Sequence, residues 1–241
     1  MSYGLIVADG GNIQFDTNRR PLEIWKHDYA TNWIVFDSYG PWPPLFPNSS
    51  PAYHATVSCS CLITVVAVRP TTSSYVVGMP NQLYQTNTDP IEYLVGSIDA
   101  GSAPLPSWGL VTYDAAGNVI FNSNARYLKI RQIIDIPVST IEGTIKHGWW
   151  YPPAPVTITH NGIYDPYYIV PITNATVPYV TMGGTAIGPL ILKLGIKKIS
   201  STSASLAWFV LCGGPGVMGI DYPFYPQISI PDPFRVAICT L

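Results

Sequence analysis

Apolar positions in this chain come in short runs that stop at Gly, Pro, Asn or Asp, and even long runs such as Cys59–Val68 reach only about ten residues. In Leu22-Glu23-Ile24 and Leu128-Lys129-Ile130 apolar and polar residues alternate, the period of two that turns one side of a strand toward a core. Leu206–Leu211 reads as a further strand, ended by a tight turn at Gly213-Gly214-Pro215-Gly216. Twenty-four prolines and twenty glycines interrupt the chain and leave little room for a long helix. Exposed helix formers are scarce, with only three glutamates (Glu23, Glu92, Glu142), whereas Val, Ile, Thr and sixteen Tyr suit pleated surfaces. The pattern predicts an all-β chain.

The same pattern occurs twice. Residues 3–24 read YGLIVADGGNIQFDTNRRPLEI and residues 108–130 read WGLVTYDAAGNVIFNSNARYLKI. With one extra alanine allowed in the second copy, ten of twenty-two aligned positions are identical, Gly4/Gly109, Leu5/Leu110, Asp9/Asp114, Gly11/Gly117, Asn12/Asn118, Phe15/Phe121, Asn18/Asn124, Arg20/Arg126, Leu22/Leu128 and Ile24/Ile130. Chance would give about one or two. An apolar run, a turn of Asp, Gly and Asn, and a second apolar run spell a β-hairpin, since Gly and Asn tolerate the positive φ of a tight turn. A shorter match, DPIEYLV at 89–95 and DPFRVAI at 232–238, predicts a closing strand for each copy. The reading is therefore two tandem related antiparallel β-sandwich-like units, one at 1–97 and one at 108–241, joined by a Pro- and Ser-containing linker at 98–107. The second unit is longer by a Pro- and Tyr-rich insertion at roughly 147–180. A fragment of residues 108–241 is expected to fold alone.

The repeated motif, aromatic-Gly-Leu, an apolar strand, Asp, Gly-Asn, apolar-x-Phe-[Asp/Asn]-[Ser/Thr] and then Arg-x-Leu-x-Ile, resembles the opening of small β-domains in virion proteins of tailed bacteriophages, found with tail-tip, baseplate and fibre genes. The resemblance covers about forty-five residues in two places. It implies a structural component of the particle, assembled in the host cytoplasm among other virion proteins, and it transfers no catalytic residue.

Composition agrees with an assembly role. Only 11% of residues are charged, against roughly 25% in an ordinary soluble domain. A folded chain so poor in charge is expected to cover much of its surface with partners, a symmetric homo-oligomer among them. The net charge of −2 offers no footprint for nucleic acid or an anionic membrane. No signal peptide is expected, because Met1-Ser-Tyr-Gly lacks a basic start and Leu5–Ala8 ends at Asp9-Gly10. No run approaches the about twenty apolar residues of a membrane-spanning helix. Cys59, Cys61, Cys212 and Cys239 lack metal-ligand spacing and read as reduced thiols; His27, His54, His147 and His160 are scattered. No nucleophile elbow or phosphate loop appears, so neither an enzyme, a cofactor nor a metal is expected.

What remains are aromatic clusters interrupted by proline. They are Tyr39-Gly-Pro-Trp42-Pro-Pro, Trp149-Trp150-Tyr151-Pro-Pro and Tyr164-Asp-Pro-Tyr167-Tyr168. The prolines predict extended loops and exclude central strands. Trp42, Trp149, Trp150, Tyr151, Tyr167 and Tyr168 are the candidate contacts, either with protein neighbours, where Tyr and Trp are frequent hot spots, or with a host surface glycan, where flat rings stack on sugars. Glycan recognition by a carbohydrate-binding module is the alternative function.

Overall fold

The computed structural model of the chain describes residues 6–9, 12–16, 21–35, 52–98, 103–114, 116–146, 149–177, 180–182, 185–187, 190–212 and 227–241. These residues are all-β: the one helical element among them is a single 3-10 turn at Val138–Thr140.

Two antiparallel sheets dominate. The first has six strands in the order Lys129–Ile136, Phe234–Thr240, Tyr167–Ile169, Val65–Arg69, Ile91–Ser97 and Glu23–Ala30. The second runs along the path Val156–Thr159, Ser203–Cys212, Leu190–Ser200, Val76–Met79, Gln82–Gln85, Tyr53–Thr56 and Ile34–Val35, with Asn174–Val177 and Gln227–Ser229 branching from it. Alternation decides which side chains meet between the sheets. Val66, Val68, Tyr93, Val95, Tyr168, Val236 and Ile238 of the first pack with Val77, Leu83, Leu192, Leu194, Ile196 and Leu206 of the second in one continuous core.

The first sheet also curls until its edges meet. Ile24 N–H donates to Arg126 O at 2.7 Å and Leu128 N–H to Leu22 O at 2.9 Å, around a bridge between Glu23 and Tyr127. Its inner face thereby gains a second, small core of Ile24, Ala67, Leu94, Leu128, Tyr167 and Cys239. This explains why all seven residues of Ile91–Ser97 are buried: each face of that strand covers a different core.

Both sheets take strands from residues before 98 and after 107, joined where Tyr168 pairs with Val68 and where Ile196 pairs with Val76. The registers on either side match position by position. Glu23 to Ala30 face Ser97 to Ile91, with an irregularity that skips Trp25. Lys129 to Ile136 face Thr240 to Phe234, with an irregularity that skips Arg131. The two strand–turn–strand segments agree as well: Ile6 faces Asp16 and Val7 faces Phe15, as Val111 faces Asn122 and Thr112 faces Phe121, and each ladder shifts at the next residue.

Turn chemistry accounts for the second hairpin. Asp114 Oδ1 accepts from the backbone N–H groups of Ala116 and Asn118, at 2.9 and 2.8 Å, and Gly117 adopts φ +84°. Asn122, buried at its base, donates to the carbonyls of Ala103 and Pro104 and so fastens the end of the linker stretch. Cys59, Cys61 and Cys239 are free thiols, and burial pushes those of Cys61 and Cys239 up to about 12. None of the helices among the described residues is long and apolar enough to cross a membrane.

Candidate functional site

The main polar constellation sits on the inner face of the curled sheet. In Ile91-Glu92-Tyr93-Leu94-Val95 the odd positions face the other sheet, so Glu92 and Leu94 point inward. A carboxylate on a strand buried along its whole length must be paired. Glu92 Oε1 accepts from the Tyr167 hydroxyl at 2.5 Å and lies 2.6 Å from His27 Nε2, while Oε2 accepts from Arg69 Nη1 at 2.5 Å. The Arg69 guanidinium stands 4.2 Å above the Tyr167 ring, and the His27 ring meets that ring edge-on. Four strands of one sheet supply the four groups.

Burial pushes the Glu92 carboxyl up, but hydrogen bonds from Tyr167 and His27 and the charge of Arg69 outweigh it, so its pKa lies below the ordinary value. The Tyr167 phenol is pushed far above its usual value by burial and by its bond to Glu92. The cluster thus holds one group ionised and its neighbour protonated, with neither poised to exchange a proton near neutrality. Beside it, Arg69, Pro70, Asp165, Pro166, Tyr168, Lys198 and Ser200 line a cavity of about 10 Å³, space for a single water. No group of three or more His, Cys, Asp or Glu among the described residues is arranged to hold a metal.

His160, buried behind the same strand, has its Nδ1 2.8 Å from the Ile163 carbonyl and its Nε2 2.6 Å from the Tyr168 hydroxyl. The carbonyl only accepts, so Nδ1 carries the proton and Nε2 receives the phenol's hydrogen. This is a satisfied core histidine.

The aromatic candidates are not brought together. Tyr167 and Tyr168 are 0% and 3% exposed, in a central strand of the six-stranded sheet. They present no free face to a sugar or a neighbour, which corrects the expectation of an exposed loop. Pro166 lies just before the first strand residue, where its missing N–H disturbs no ladder. Trp149–Tyr151 form a strand paired with Thr144–Lys146, again in place of a loop, and their side chains lie outside the described residues. Trp42 lies outside them altogether.

A different apolar surface stands out. Trp108 is 93% exposed, and Leu105, Leu110 and Tyr113 on the same arm are 60%, 45% and 52% exposed. In the sequence Trp108 is marked only as the counterpart of Tyr3. The Glu92 cluster escapes sequence reading because its members stand up to 140 residues apart. The available signal was a lone glutamate inside the apolar run Ile91–Val95.

No family model, no curated protein and no solved structure matches this chain.

Proposed function

We propose that the chain is a structural component of a phage virion, in the tail tip, baseplate or fibre-attachment region, built from two copies of one β-sandwich-like unit and working by contact with other virion proteins. The units are residues 1–97 and 108–241, with 98–107 between them. One observation carries this reading above all: the matching registers and ladder irregularities of the two halves, arranged about a common centre. Such a chain offers its neighbours two similar settings, which suits a part repeated around a symmetric particle. An exposed tryptophan arm in a chain with only 11% charged residues supplies contact surface. The inward-facing cluster of Glu92, His27, Arg69 and Tyr167 locks the scaffold.

Mass spectrometry of purified particles, with gold-labelled antibody to locate the protein, tests the proposal. Stoichiometric presence at the tail end is expected. Absence from intact particles would overturn it and turn attention to glycan binding by the free protein.

A further inference from the structure

The six-stranded sheet ends on two strands of matching register, and the two ends differ at their middles. Glu23–Ala30 carries Lys26-His27-Asp28 there, with Lys26 Nζ 3.2 Å from Asp28 and His27 held against Glu92. Charge at the middle of an edge keeps other strands from pairing with it. Lys129–Ile136 has Gln132-Ile133-Ile134 at the matching positions. It gives one side to Phe234–Thr240, and among the described residues no strand pairs with the other. Such an edge is a template for a further strand, because its outward N–H and C=O groups can continue the ladder. Ile130 and Ile133 lie opposite Cys239 and Ala237 on the curled face, and they are 48% and 56% exposed.

We propose that Lys129–Ile136 pairs antiparallel with the same strand of a second copy of this chain, about a two-fold axis at Ile133. The strand's own charges select this occupant. Arg131 and Asp135 stand two residues to either side of Ile133, so this register sets each Arg131 opposite the Asp135 of the other copy. It also brings Ile133 against Ile133, Ile130 against Ile136 and Gln132 against Ile134. Arg131, the residue that the ladder to Phe234–Thr240 skips, is exposed and makes no ion pair among the described residues. Asp135 is 69% exposed and bonds Arg235 through Oδ1, so in the pair of copies its carboxylate lies between two guanidinium groups. A strand with a cation or an apolar residue at that place is turned away by Arg131, whereas a copy of this chain is drawn in. Each chain has one such strand, so the contact is isologous and pairing by it closes at two copies.

The contact rests on the assembly reading only in requiring that copies meet. A monomeric chain found in particles would sink the contact alone; a dimer absent from particles would sink the location alone. Sedimentation velocity on the purified full-length protein is the test. Wild type is expected to pass from monomer to dimer as concentration rises. Ile133→Lys sets two lysines against each other on the axis and weakens the dimer by about a hundredfold. The far-ultraviolet circular dichroism of this variant stays unchanged, because the residue is exposed in the single chain. Arg131→Glu and Asp135→Lys each weaken the dimer by about tenfold, since each sets like charges opposite one another in both pairs. Mixed one to one, these two variants recover wild-type strength as a heterodimer, because every charged pair is again of opposite sign. Wild type that stays monomeric, Ile133→Lys that dimerises like wild type, or a mixture no stronger than its components would overturn the proposal.

Discussion

Glu92 and Arg235 occupy the same register position in the two halves of the six-stranded sheet, one opposite Tyr29 and the other opposite Asp135. Around Glu92 the sheet buries a carboxylate and satisfies it from three sides. Around Arg235 the pair with Asp135, 2.7 Å between Nε and Oδ1, lies open to solvent, the two side chains 58% and 69% exposed. The backbones agree, ladder irregularity included, while the chemistry differs in sign, burial and cost. Register follows from the hairpin turn, the inward apolar positions and the skipped residue, and these leave the identity of a strand-end side chain free. One half uses that freedom for a buried lock, the other for an ion pair in water.

Breaking the lock has the largest expected effect. Glu92→Ala leaves the buried Tyr167 hydroxyl without its acceptor and takes the carboxylate from Arg69 and His27, which are each about a third exposed, and lowers unfolding free energy by about 3 kcal/mol, measured by urea denaturation. Next comes the exchange of another matched pair. Gly96 stands where the second half has Cys239, and a Cβ at Gly96 would lie 2.7 Å from Val65 Cγ1. Gly96→Cys is expected to cost about 2 kcal/mol by overpacking, although the same residue fills its counterpart position fully buried.

Acid separates the halves in the same way. Because the Glu92 pKa is depressed in the folded state, its stabilisation is complete above the ordinary carboxylate range and is lost as pH falls through that range toward the folded value. Glu92→Gln should therefore flatten the acid limb of the stability profile, read as denaturation midpoints across that range. Arg235→Ala is the smallest effect, under about 1 kcal/mol, because an exposed pair exchanges its partner for water. A loss as large as that of Glu92→Ala would break the comparison.

The hairpins, the strand that follows each and the closing strands were legible because each rests on local signals: an Asp-Gly-Asn turn, period-two alternation, a repeated Asp-Pro. The skipped residues Trp25 and Arg131 were not, since nothing in either side chain marks them. Tyr167 and Tyr168 were not legible as strand residues, since Pro166 excludes only its own ladder position and leaves the residues after it free to pair. The Glu92 cluster is a product of topology, assembled from residues 27, 69, 92 and 167. Nor does the sequence reveal that the two halves merge their sheets. It predicts that residues 108–241 fold alone, whereas the shared sheets lead us to expect that this fragment, with Tyr167–Ile169 and the Ile196 stretch of Leu190–Ser200 stripped of their neighbours Val65–Arg69 and Val76–Met79, aggregates.

Whether the halves fold as one body is the central matter, and native-state hydrogen exchange tests it most directly. The account predicts that backbone amides at the junctions, in Val65–Arg69 and Tyr167–Ile169 and around Val76 and Ile196, exchange only through global unfolding, with the same free energy as amides of Ile91–Ser97 and Phe234–Thr240. Junction amides that open well below the global value, or one half exchanging independently of the other, would contradict it.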